Sequence, residues 1–522
     1  MTDIFGVLPL SWGLVLVAIV LLYLYLTAPY STFTKMGLSG PKPLPMFGSM
    51  LAYRKGLCEV DREWLKKYGR VYGEYQGRRP VLVMSDPELI KQLTVKNFSS
   101  FVNRRDFPLR SKPFNDGLTA LRDDKWRNVR NTLTPAFSGS KMRLMTSLLN
   151  ECADVTVRVL ERHVNEDKIV KLKQFFGGYS LDGIAMTSFG VDISSQETPN
   201  HPFVENIKKL VNVSLFSPVF IILFFFPFLI PLLNYLDISN IPKSVRKYLL
   251  SIVDDTINLR KQEDGNNKRT DLLQLMLNAH ELYEKYIQDG GHKEGDEVHN
   301  GPTHVGKASD YHKGFTNSEI TAQSSLFLLA GYETTSTLLA CLAYSLAVNP
   351  DVQEKLIAEI EEVMAEKETP GYDDLGKMHY LDMVINETLR AYPPAVRIER
   401  VCNEATTIGG ISIPEGMLVS VPVFAVHFDP ELYPDPDKFD PERFSKEEKE
   451  KRHPFAWLPF GAGPRNCIGM RFALMSTKIA VVRTLRKFTF EPCAETPIPL
   501  KPGKNSRVIP PEDVPVKVKA RE

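Results

Sequence analysis

Phe460-Gly-Ala-Gly463-Pro-Arg465-Asn-Cys467-Ile-Gly469 is the stretch from which the rest of the chain is read. Two glycines and a proline open it, so the backbone turns tightly there. Met470-Arg-Phe-Ala-Leu-Met-Ser-Thr-Lys-Ile-Ala-Val-Val follows with helical spacing. Cys467 therefore falls at a loop-to-helix junction, where backbone N–H groups and the helix dipole favour a thiolate. Gly469 lets those N–H groups approach the sulfur, and Arg465 adds a cation.

A thiolate held in this way can be an axial ligand to haem iron. The string resembles F-x-x-G-x-R-x-C-x-G, the haem-binding signature of the cytochrome P-450 superfamily, at all five of its fixed positions. A lone cysteine in a Gly-rich turn would read as a packing residue, but this spacing does not. The resemblance implies a mainly α fold with small β-sheets, enclosing haem b in a single catalytic domain. It makes Cys467 the iron ligand, sets Arg465 against a haem propionate, and puts Phe460 and Gly461 at the cofactor.

The chain has 522 residues, 43% of them apolar, enough for two or three ordinary domains or one large one. Its net charge of +1 gives no reason to expect a nucleic-acid partner. Six scattered cysteines with no C-x-x-C pair indicate a reducing compartment without a disulfide framework.

No charge occurs between Asp3 and Lys35, and Leu8 to Leu26 spans ~28 Å as a helix, close to the bilayer core. A cleaved signal peptide fits less well, because the run is long, its leading flank is acidic and no A-x-A site follows. Residues 1–27 therefore read as a membrane anchor and 28–46 as a linker stiffened by Pro41, Pro43 and Pro45. Residues 47–522 then form the catalytic domain. Lys35 and Lys42 after the span, against Asp3 before it, put that domain in the cytosol. The resemblance implies a single-pass protein of the endoplasmic reticulum membrane.

Residues 68–97 mix short β-type runs with a polar turn and read as a small sheet. Leu210 to Leu236 carries no charge, but Pro218, Pro227 and Pro231 break it. That suits an interfacial membrane contact, or plain core packing, better than a second span. The polar run 285–313 reads as a solvated loop, and its four histidines lack a compact metal-ligand spacing.

Trp126 and Arg130 lie four apart on one helical face and resemble the family's W-x-x-x-R, whose side chains bond haem propionates. Arg104 and Arg400 resemble further propionate contacts. The resemblance also puts Thr119, Ala120, Ala395, Val396 and Ile398 at the substrate.

Thr316-Asn-Ser-Glu319 is a capping box, and the helix after it can run to Asn349, before Pro350. Gly331 inside that helix costs ~1 kcal/mol relative to alanine and needs an explanation. Close helix packing would be enough for an isolated Ala-Gly. Here Ala330-Gly-Tyr-Glu-Thr-Thr335 resembles the family's [AG]-G-x-[DE]-T-[TS]. That resemblance implies small residues leaving room for dioxygen, Thr334 holding a water, and Glu333 in a proton relay. Glu387-Thr-Leu-Arg390 and Pro441-Glu-Arg443-Phe444 resemble the E-x-x-R and P-E-R-F elements, which implies a buried structural triad of Glu387, Arg390 and Arg443.

The nearest likeness is to the animal drug- and steroid-oxidising microsomal branch, which also contains thromboxane synthase. It implies a monooxygenase acting on lipophilic substrates (xenobiotics, steroids or fatty acids). Because no nucleotide-binding glycine fingerprint appears, electrons must come through a partner: NADPH-cytochrome P-450 reductase, with cytochrome b5 as a second donor. A haem-thiolate isomerase of a fatty-acid endoperoxide is the alternative, and a haem carrier or sensor ranks below both. Lys504, Asn505 and Arg507 either bring polar character to the pocket or lie in solvent.

Overall fold

The computed structural model describes residues 10–106, 114–198, 201–211, 222, 227–236, 238–239, 242–262, 271–288, 314–502 and 513–521. Lys504, Asn505 and Arg507, most of the polar loop and most of the uncharged stretch lie outside the described residues.

The chain is mostly helical. The helices needed below are α1 (Leu10–Thr27), α2 (Asp123–Leu133), α3 (Leu172–Phe189), α4 (Asn317–Val348), α5 (His379–Ala391) and α6 (Met470–Leu485). α1 exposes its apolar side chains, while α4, also apolar enough to span a bilayer, is largely buried. α1 is thus a candidate membrane anchor and α4 the central core helix. The Thr316 cap forms as a reciprocal pair: Glu319 N–H donates to Thr316 Oγ1 at 3.2 Å, and Thr316 N–H to Glu319 Oε2 at 2.9 Å. Pro350 opens the next helix.

The main sheet contains β1 (Val71–Gln76), β2 (Arg79–Met84), β3 (Ile398–Val401) and β4 (Leu418–Val421), in spatial order β1-β2-β4-β3. β2 pairs with β4 in parallel and the other two pairings are antiparallel. Val81 to Met84 are fully buried because the two faces of β2 serve different cores. Leu82 and Met84 pack with Phe33 and Val419, whereas Val81 and Val83 pack with Trp64 and Tyr72. A larger core gathers α2 to α6.

The segment after α1 is docked rather than free. Phe33 is buried against Tyr75, with ring centroids 5.2 Å apart. The Tyr75 hydroxyl donates to Tyr30 O at 2.9 Å, and the Tyr30 hydroxyl to Leu44 O at 2.8 Å. The prolines after Gly40 therefore leave a chain already fastened to β1.

Candidate active site

The Cys467 loop is built on main-chain bonds. Cys467 N–H donates to Phe460 O at 2.8 Å, Gly461 N–H to Leu458 O at 2.9 Å, and Asn466 N–H to Gly463 O at 3.0 Å. Gly463 has φ +70, and a Cβ there would lie 1.9 Å from Thr94 O, so only glycine fits. The Cys467 side chain reaches open space yet is walled by protein. Burial raises its pKa, while the Gly469 N–H, Arg130 and Arg104 pull it down. Those three groups favour the thiolate that burial disfavours.

Four guanidiniums surround the loop. Arg130 donates to Asn466 O and Oδ1, both at 3.0 Å, and Arg104 donates to Arg465 O at 3.0 Å. Arg465 donates to Val102 O (2.9 Å), Leu118 O (3.3 Å) and Leu121 O (2.7 Å), with its guanidinium 4.0 Å above the centre of the buried Trp126 ring. Burial lowers the pKa of Arg465 to about 8, helped by Arg104, Arg400 and Arg130. Burial, then Arg104, lowers that of Arg400 to about 9. The buried Arg400 Nε has no hydrogen-bond partner among the described residues. A desolvated cluster of like charge is costly until an anion joins it. A carboxylate-bearing cofactor beside a cysteine sulfur meets that need, so these residues fit haem.

Ala330 and Thr334, one turn apart, are the two exposed residues of α4 between Ile320 and Val348. Thr334 Oγ1 donates to Ala330 O at 2.8 Å, which leaves its lone pairs available as acceptors. Gly331 does not share this face. A Cβ on it would come within 2.8 Å of Ile184, so its smallness serves the contact between α4 and α3. The room expected from two small residues therefore rests on Ala330 alone.

Glu333 is buried and turned toward α3, where Lys173 Nζ meets its Oε1 at 2.6 Å. Burial raises the Glu333 pKa and Lys173 opposes the rise. Without Lys173 the carboxyl would hold its proton to higher pH. If Glu333 relays protons, Lys173→Met should move the acidic midpoint of product formed per NADPH upward while haem loading stays normal. An unmoved midpoint would remove Glu333 from the relay.

The triad residues come together. Arg390 Nε and Nη2 donate to Glu387 Oε2 and Oε1 at 2.7 and 2.8 Å, and Arg443 Nε lies 3.7 Å from Glu387 Oε1. The Asp440 N–H adds a bond to Glu387 Oε1 at 2.8 Å.

His427 had no motif to announce it. Its Nδ1 lies 3.1 Å from Arg390 O, and its Nε2 accepts from Leu458 N–H at 2.9 Å. That Nε2 is an acceptor makes Nδ1 the donor, and burial lowers the His427 pKa to about 3. This neutral ring thus ties α5 to the start of the cysteine loop. Arg397, also unsuspected, joins Asp61 and Glu74 in a buried cluster behind β1.

The expected substrate residues divide. Thr119 and Ala120 are half-buried in a turn held between Arg465, through Leu118 O and Leu121 O, and α4, where Gln323 Oε1 accepts from Leu118 N–H at 2.8 Å. Ala395 is exposed, and Ile398 is half-buried near Gly461. Val396 is 1% exposed and packs with Leu418 and Phe424, so it belongs to the sheet-side core and does not border the substrate.

Residues 38–518 match the cytochrome P450 family. The chain is 43% identical to cytochrome P450 3A29 of Sus scrofa over 98% of its own length and 97% of that protein. It is 41% identical to cytochrome P450 3A5 of Homo sapiens with the same coverage, and 40% identical to cytochrome P450 3A56 of Fundulus heteroclitus over 98% of each chain. With a cysteine loop and arginine cluster that fit haem b, and a match running from the linker to the last strand, the chain belongs to the cytochrome P450 family of haem-thiolate monooxygenases.

Proposed function

We propose that this enzyme inserts one oxygen atom from dioxygen into lipophilic substrates such as xenobiotics, steroids or fatty acids. Electrons come from NADPH through NADPH-cytochrome P-450 reductase, with cytochrome b5 as an accessory donor. The catalytic domain works on the cytosolic side of the endoplasmic reticulum membrane, held there by α1. Bound haem supplies the oxygen activation itself.

The chain's part is to hold and to deliver. Cys467 Sγ ligates the iron, and Arg104, Arg130, Arg400 and Arg465, with Trp126, hold the propionates. Phe460, Gly461 and Ala330 border the cofactor. Thr119, Ala120, Ala395 and Ile398 border the substrate. Glu387, Arg390 and Arg443 fix the scaffold. The observation that carries the reading is Thr334, exposed in the middle of the otherwise buried helix α4 with its hydroxyl bonded to Ala330 O. From there Thr334 Oγ1 holds a water, and Glu333 passes protons toward it once released from Lys173. An endoperoxide isomerase consumes no outside protons and has no use for this arrangement.

Thr334→Ala tests the assignment. Haem and substrate binding should persist, while product formed per NADPH consumed falls by roughly tenfold. The missing electrons should appear as hydrogen peroxide or water. Unchanged coupling would refute the role given to Thr334.

A further inference from the structure

The turn that carries Thr119 and Ala120 is gripped on its α4 side by one glutamine. Gln323 is 0% exposed. Its Nε2 donates to Asp116 O at 2.6 Å, and its Oε1 accepts from Leu118 N–H at 2.8 Å. A single amide thus bonds both a carbonyl and an N–H of the turn. On the other side Arg465 donates to Leu118 O and Leu121 O. Leu118 and Leu121 are buried on either side of the half-buried Thr119 and Ala120. The remaining polar ties to α4 lie at the surface. Ser318 Oγ donates to Asp116 Oδ2 at 3.3 Å, and the exposed Lys125 meets Asp116 at 3.6 Å and Glu319 at 3.0 Å. Exposed contacts of this kind contribute little, so the buried amide carries the attachment.

Gln323 also shares a helix face with Ala330 and Thr334. At roughly 100° per residue, Ala330 lies seven residues on and about 20° around the helix, and Thr334 eleven on and about 20° the other way. Seven residues rise about 10 Å. One stripe of α4 therefore carries both the turn and Thr334, and the Gln323 amide fixes the spacing between them.

We infer that Gln323 is a positioning residue for the substrate: it holds the 116–121 turn at a set distance from Ala330 and Thr334. The inference rests on the proposed place of Thr119 and Ala120 at the substrate. Without the amide the turn keeps its bonds to Arg465 but loses its register on α4. A bulky ligand must then order the turn as it binds, which costs affinity.

The test reads azole binding to the holoenzyme by the Soret shift. Imidazole needs only the iron, whereas clotrimazole ligates through the same ring and also presses on the pocket walls. Gln323→Met keeps the side-chain length and removes both bonds. It should weaken clotrimazole about five- to tenfold, the effect of one hydrogen bond, and leave imidazole unchanged. Gln353→Met is the matched control. Gln353 is also buried, and it grips the Phe490 main chain in the same way, with Nε2 donating to O at 3.0 Å and Oε1 accepting from N–H at 2.8 Å. Its Nε2 also reaches Leu346 O at 3.4 Å, about 18 Å along α4 from Thr334. Gln353→Met should lower the denaturation midpoint as Gln323→Met does, yet keep the clotrimazole-to-imidazole affinity ratio. If Gln323→Met does not load haem, the same ratio in Gln323→Asn decides, since that side chain is one methylene too short to hold both partners. Ala120→Phe separates the inference from the reading beneath it. A ratio changed by Ala120→Phe but not by Gln323→Met would overturn the role of Gln323 alone. A ratio unchanged by both would remove the turn from the pocket and the inference with it. An equal change in Gln353→Met would also overturn the inference, because general destabilisation would then account for it.

Discussion

Cys467→Ala is expected to abolish the ~450 nm band of the reduced carbon monoxide complex and all reductase-dependent oxidation. Burial pushes the thiols of Cys58, Cys152 and Cys341 far up. The one guanidinium that opposes it at Cys58, Arg397, is already paired with Asp61 and Glu74. Cys58→Ala therefore serves as the control and should keep the band. The loop itself should survive the substitution, because it is held by the main-chain bonds of Phe460, Gly461 and Asn466 and by Arg465. Full band intensity in Cys467→Ala would place the iron ligand elsewhere.

Arg390→Leu is expected to cost ~3–5 kcal/mol of stability, because it leaves a buried carboxylate without its main partner. Glu387 is fully buried, and Arg443 at 3.7 Å is too distant to replace two bonds of 2.7 and 2.8 Å. The loss extends further: Arg390 Nη1 also donates to His427 O at 3.1 Å, and His427 anchors Leu458. Haem retention should fall along with the denaturation midpoint. Removing both charges, as Glu387→Leu with Arg390→Leu, should cost less than Arg390→Leu alone. Equal stability of Arg390→Leu and wild type, measured by urea denaturation, would contradict the structural role.

What could be read from the sequence was whatever is coded locally. The capping box at Thr316 uses four consecutive residues, the Cys467 loop ten, and E-x-x-R one helical turn, so each was visible in a short window. Partners far apart in sequence were not. The spacing in α4 could not show that Glu333 turns to Lys173, because that contact depends on how α3 crosses it. For the same reason Gly331 could be assigned to dioxygen or to packing, and only Ile184 beside it decides for packing. Val396 was assigned to the substrate by resemblance alone, and its place just before β3 is decided by its packing with Leu418 and Phe424, which are distant in sequence. His427 lacks any motif, since its task is to join two segments by main-chain bonds. Phe33 was lost in a linker defined by its prolines, and its burial depends on the face of β1 it meets.

The central claim is that one oxygen atom of dioxygen enters the product with electrons from NADPH. The most direct measurement is turnover of a lipophilic substrate under ¹⁸O₂ by the purified holoenzyme with reductase, read by mass spectrometry. The account predicts one labelled oxygen atom per product molecule, and no product when NADPH or reductase is left out. Robust turnover of a fatty-acid endoperoxide without NADPH, with no label incorporated from ¹⁸O₂ into any substrate tried, would contradict it.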